Sequence, residues 1–95
     1  MVHDLMVHDL IVNELFEKRS LAALIFLIDC GRELEFKVNG NKCFISCDGS
    51  KKYVSLYVNK EEQSFYSVSE LIADATIADM KFLLVWEQAE LEYLF

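Results

Sequence analysis

Two histidines and three cysteines carry the readiest chemistry in this 95-residue chain. His3 and His8 each precede an aspartate, Asp4 and Asp9, inside a tandem copy of MVHDL at residues 1–5 and 6–10. On a helix, five residues amount to about 140° around the axis, so the two imidazoles diverge and are poorly set to share a metal ion. The HExxH pattern, which puts two ligands on one helix face, is absent. Cys30, Cys43 and Cys47 are an odd number, which argues against a fully paired secreted framework. In a strand, Cys43 and Cys47 share a face but stand about 13 Å apart, beyond disulfide reach. Free, mostly buried thiols are the expectation. A cysteine nucleophile also needs a base within about 3 Å, and neither histidine belongs to the expected core.

The remaining candidates are carboxylates and aromatic rings. Glu33 and Glu35 share a strand face and Glu61-Glu62 fall in a turn, a pattern met most simply by a solvated surface. Gly31, Gly40 and Gly49 stand too far apart for a phosphate-cradling loop. Phe44, Tyr53 and Tyr57, with Lys51, Lys52 and Lys60 nearby, superficially resemble a base-stacking platform. The acidic balance and the lack of an Arg-rich pattern oppose that use. Cross-strand packing or burial beneath a helix is the simpler expectation for these rings, with protein contact next. No catalytic residue, metal ligand or cofactor is assigned.

Nine Lys/Arg against sixteen Asp/Glu give a net charge of -7. Residues 1–60 hold eight acidic and eight basic groups, so the whole excess belongs to residues 61–95, where Lys81 is the one cation. Such a chain does not suit direct nucleic-acid binding. It suits either a solvated helical face or a surface that steers a basic protein. The longest apolar run, Leu21 to Ile28, is eight residues, against the ~20 needed to span a bilayer. No Lys or Arg precedes Lys18, so a basic leader region is missing. A cytoplasmic protein without membrane attachment is expected.

The elements follow from periodicity. A first helix is expected over about residues 3–17, frayed before Leu5, and Ser20 can cap a second segment, LAALIFLI, stopped by Gly31. The period then changes to two. Leu34, Phe36 and Val38 oppose Glu33, Glu35 and Lys37, and Asn39-Gly40 signals a hairpin. A return strand KCFISC, an Asp48-Gly49 turn, the strand KYVSLYV and a short edge strand from Gln63 to Tyr66 complete a meander. Ser67 and Glu70 fit a capping box. A last helix is expected from near Asp79 to the end, with Phe82, Val85, Trp86 and Ala89 on one stripe and Tyr93 continuing it. The fold class is therefore α+β: one domain, an antiparallel sheet of three or four strands, an N-terminal helical region and two C-terminal helices. Val38, Ile45, Val54 and Leu56 should lie on the covered sheet face, with Trp86 anchoring the last helix over or beside it.

GRELEFKVNGNKCFIS, QSFYSVSELI and IADMKFLLVW together resemble a pattern in small proteins of Gram-positive bacteria and their phages. The residues that carry it are Gly31, Glu35, Phe36, Asn39-Gly40, Phe65, Ser67, Glu70, Leu71 and Val85-Trp86. The resemblance covers roughly residues 24–87 and brings no catalytic residue with it. Leu83 and Leu84 stand where that pattern usually has charges, which points to a contact surface particular to this chain.

These features lead to the expectation of a non-enzymatic binding or regulatory protein acting through protein–protein contact. One form is a phage-associated acidic inhibitor that presents carboxylates to a nucleic-acid-binding protein. A structural self-associating protein and a small cysteine-dependent enzyme are the alternatives. The expected contact residues are Leu24, Leu83, Leu84, Glu87, Glu90, Leu91 and Glu92. A basic protein is one expected partner. A second copy is the other, because the Leu21–Ile28 run lacks a polar stripe and Leu83, Leu84 and Leu91 widen the apolar circumference of the last helix.

Overall fold

The computed structural model describes residues 2–48 and 53–95. Two helices, α1 (Val2–Lys18) and α2 (Leu21–Asp29), lead into four strands, β1 (Leu34–Val38), β2 (Asn41–Asp48), β3 (Tyr53–Val58) and β4 (Glu61–Phe65). Then follow α3 (Val68–Asp74), a small ladder of β5 (Thr76–Ile77) and β6 (Met80–Lys81), and a single helical turn, α4 (Phe82–Val85). A 3-10 turn, Trp86–Gln88, passes the chain to β7 (Glu90–Leu94). The protein is α+β. The expected turn at Asp48-Gly49 lies outside the described residues.

Local chemistry accounts for most boundaries. Ser20 Oγ accepts from Ala23 N at 3.1 Å, and Ser67 Oγ accepts from Glu70 N at 3.1 Å, so both expected caps start helices. Asn39 and Gly40 have φ of 50° and 85°, the pair of positive values that a two-residue type I′ hairpin requires. Asn59-Lys60 turns the β3–β4 hairpin in the same way, which lets β4 start at Glu61, earlier than expected.

The sheet order is β4-β3-β2-β1-β7, antiparallel throughout. Leu34, Phe36, Val38, Cys43, Ile45, Val54, Leu56 and Val58 project to one face and are buried. Leu24, Leu27 and Ile28 of α2, Leu71 of α3 and Phe82, Val85 and Trp86 cover that face, and α1 contributes Leu15. Leu24 is fully buried, which removes it from any contact surface. The α2 run has a solvent-facing stripe after all, at Ala22 and Phe26, because α1 folds back along its flank.

The largest departure from expectation is the C-terminus. Glu90–Leu94 is a strand paired with β1, not the end of a long helix. Its residues have good helix propensity, but β1 would otherwise leave a full set of backbone groups unpaired, and tertiary pairing overrides propensity here. The helical stripe ends with Ala89, buried like Phe82, Val85 and Trp86, while Tyr93 lies exposed on the sheet.

Trp86 ties this end of the chain to the other. Its ring stacks on Phe82 with centroids 5.1 Å apart and meets Phe36 edge-on at 5.5 Å. Its Nε1 donates to Arg19 O at 2.8 Å, and Arg19 Nε donates to Ala89 O at 2.8 Å. Trp86→Ala should cost roughly 3–5 kcal/mol in chemical denaturation. Trp86→Phe keeps much of the packing but leaves the Arg19 carbonyl unpaired, at about 1–2 kcal/mol. Equal losses for the two variants would deny the hydrogen bond a separate role.

Candidate functional site

One face of the sheet carries no covering element among the described residues. Strand register sorts its side chains into tiers. Nearest the two hairpin turns, Lys37 lies between Lys42 on β2 and Glu90 on β7. The next tier runs Tyr93, Glu35, Phe44, Tyr57 and Glu62 across all five strands. The third runs Phe95, Glu33, Ser46, Ser55 and Ser64, where Glu33 and Phe95 exchange backbone hydrogen bonds.

A row of four aromatic rings crosses the middle of this face. Phe44 and Tyr57 have centroids 6.4 Å apart, Phe44 and Phe95 6.1 Å, and Tyr93 and Phe95 6.2 Å. Tyr93 and Phe95 are 62% and 58% exposed, so the outer half of the row is open to a partner. The expected cross-strand packing of Phe44 and Tyr57 is present, and no helix covers it. Tyr53 packs instead against Tyr66 at 5.5 Å, away from the row.

A register shift between Glu35 and Phe36 sets the β7 side of the face. The extra residue is Glu92, which a bulge turns to the same side as Tyr93. Its carboxylate lies 3.5 Å from Lys37 Nζ. The serine tier is self-contained: Glu33 accepts from Ser46 at 2.8 Å, and Glu62 accepts from Ser55 at 2.7 Å and Ser64 at 3.1 Å. These are structural hydroxyls with carboxylate acceptors, and none of them bonds an imidazole among the described residues.

The expected contact residues do not form one surface. Leu83 and Leu84 are 50% and 67% exposed on α4. Glu87 and Glu90 are exposed beside the β7 edge, whereas Leu91 is half-buried and packs against the core. Leu91 therefore supports the fold and does not widen an apolar helix surface, and Leu24 is sealed in the core on the buried side of α2. Sequence reasoning missed Tyr93 and Phe95 as members of the aromatic face. The signal was the alternation of Glu90 and Glu92 with Leu91 and Tyr93, masked by residues that also favour helix.

The chemical groups are dispersed. His8 Nε2 meets Arg32 Nη1 at 2.6 Å, and Arg32 Nε donates to Phe95 O at 2.6 Å, so this imidazole helps seat the C-terminal strand. The side chain of His3 lies outside the described residues. No hydrogen bond joins a thiol to an imidazole, and no cluster of three or more His, Cys, Asp or Glu is arranged to hold a metal, among the described residues. No described helix is long and apolar enough to cross a membrane. No family model, curated protein or solved structure matches the chain.

The three thiols are free, but differ in access. Cys30 is exposed and Cys47 half-buried, while burial pushes the Cys43 thiol up to about 11 from 9.0. A thiol reagent at neutral pH should therefore modify Cys30 well before Cys43, as read by mass spectrometry of the native protein. The folded state keeps the Cys43 proton that the unfolded chain releases. The contribution of this thiol to stability is thus fully present below pH 9 and falls as pH rises toward 11. Cys43 labelling as fast as Cys30 would contradict its burial.

Proposed function

We propose that this is a non-enzymatic binding protein that acts through protein–protein contact, with the uncovered sheet face as its contact surface. The observation that carries this reading is the aromatic row Tyr57, Phe44, Phe95 and Tyr93 on a face that no other element covers among the described residues. Apolar rings rimmed by polar and charged side chains are the usual composition of a protein contact patch. Glu87, exposed just before β7, and Glu90, exposed at the start of that strand, make this side of the rim acidic, which favours a basic partner and steers its approach. Glu92 contributes less, because Lys37 already pairs with it. The resemblance to small phage proteins makes a nucleic-acid-binding protein the first partner class to try, with the carboxylates standing in for phosphates. A reducing, cytoplasmic setting accords with three free thiols.

The experiment is capture and cross-linking of the partner, followed by association kinetics. Tyr93→Ser with Phe95→Ser should abolish retention of that partner while leaving the thermal midpoint within a few degrees. Glu87→Lys with Glu90→Lys should slow association by about ten-fold at low salt, with the difference shrinking at physiological salt. Unchanged binding by the aromatic variant would overturn the reading. Unchanged rates for the charge variant would assign the glutamates to edge protection instead.

A homodimer is a second reading, favoured by Met80, Leu83 and Leu84, which are 48%, 50% and 67% exposed. A second copy that covers these side chains would remove their apolar surface from water. Sedimentation over a wide concentration range should then show a two-subunit mass that Leu84→Glu reduces to one. Leu24→Glu would instead unfold the protein, since Leu24 is in the core. A wild-type monomer at high micromolar concentration would sink the dimer.

A further inference from the structure

Three lysines gather at the hairpin end of the open sheet face, where Lys37 also has Glu90 opposite it on β7 and Glu92 at 3.5 Å. Lys37 and Lys42 are direct partners across β1 and β2, where like charges repel. Lys60 occupies the second position of the β3–β4 turn with φ of 75°, a left-handed conformation in which glycine is strongly preferred. The β1–β2 turn has the same shape and does use glycine there, at Gly40. A lysine that replaces the unstrained choice, next to two others, calls for a use of its charge.

The two turns are braced against each other. Asn59 Oδ1 accepts from Lys42 N at 3.1 Å, Asn59 N donates to Lys42 O at 2.8 Å, and Asn59 Nδ2 donates to Asn41 Oδ1 at 2.9 Å. The backbones that carry Lys42 and Lys60 are thereby fixed relative to one another. Between them lies a concavity of about 620 Å³ lined by all three lysines and by Phe44 and Tyr57. Glu35 and Glu92 also line it. Glu92 is committed to Lys37, whereas Lys42 and Lys60 have no ion pair among the described residues. With Glu90 opposite Lys37 the glutamates at this end match the lysines in number, but they gather about Lys37, which leaves the Lys42 and Lys60 charges beside the two aromatic rings.

We infer that this concavity binds a small planar aromatic anion, whose ring packs against Phe44 and Tyr57 while Lys42 and Lys60 receive its negative group. Its size lies in the range of small-molecule sites. The site stands on these lysines and not on the protein-contact reading, so either can fail without the other.

Phenyl phosphate and benzoate are the probes, with phenol and inorganic phosphate as the ring alone and the charge alone. NMR shifts of Lys42, Phe44 and Tyr57 in the full chain are followed up to about 10 mM, a range that captures millimolar affinity. The expected result is saturation by an aromatic anion with about ten-fold tighter binding than by phenol or phosphate. The better of the two probes identifies the anionic group as phosphate or carboxylate. Lys42→Gln should weaken binding about three-fold. Lys60→Gly should do the same while raising the thermal midpoint, since it relieves the turn. A lysine with only a structural role would not produce that opposition of stability and affinity. Absence of saturation, equal binding of inorganic phosphate, or affinity unaffected by both variants would overturn the inference.

Discussion

Arg19 stands just past the end of α1 with φ of 55°, a position that usually favours glycine, and its carbonyl receives the Trp86 indole N–H. Its guanidinium returns to Ala89 O and to Phe16 O. This corner joins the N-terminal helices to the segment that closes the core, across 67 residues of chain. With the indole held there, Trp86 lies against Phe36 and Phe82 at the centre of the covered face. Ala89 is fixed in the same act, and the next residue begins β7. The placement of the fifth strand, and with it Tyr93 and Phe95, thus depends on how the α1–α2 corner is tied.

Among the described residues the sheet has helices on one face only, so its other face meets whatever surrounds the protein. Both edge strands carry two glutamates, Glu61 and Glu62 on β4 and Glu90 and Glu92 on β7. Charges on an edge oppose pairing with an identical strand and limit aggregation. This gives the acidic C-terminal third a structural value alongside any steering role. It also makes edge-to-edge pairing of two β7 strands an unfavourable route to a dimer. Gln63 contributes on the β4 side, where its amide exchanges hydrogen bonds with the backbone of Thr76 at 2.7 and 3.0 Å and pins the β5–β6 ladder. The open face is left with three kinds of chemistry: lysines by the turns, aromatic rings across the middle, and serine–glutamate pairs beyond.

Much of this was legible residue by residue. The alternation of Leu34, Phe36 and Val38, the Asn39-Gly40 turn and the caps at Ser20 and Ser67 act through neighbours a few positions away, so the sequence by itself determined the meander and the two helix starts that those serines cap. It also determined which strand face is apolar, and Val38, Ile45, Val54 and Leu56 are all buried. The buried stripe of Phe82, Val85, Trp86 and Ala89 was equally visible, because burial follows apolar periodicity whether one helix or two short turns present it. What periodicity does not contain is the neighbour of β1. ELEYL serves a helix or a strand equally well in isolation, and only the unpaired edge of β1, created by the folded sheet, selects the strand.

The candidate site follows that division. Phe44 and Tyr57 were placed on one face by sequence, since strands alternate, and their pairing needed only the hairpin register. Tyr93 and Phe95 joined them through β7, and Glu92 turned outward through a bulge with no local sequence signature. Leu24 and Leu91, apolar residues indistinguishable in sequence from Leu83 and Leu84, were assigned to the core by the elements packed around them. Sequence thus decided the properties that depend on spacing along the chain. Tertiary structure alone decided those that depend on which distant segment comes to lie alongside, because a long-range contact is fixed by the free energy of the whole packing arrangement and not by the residues nearest to it.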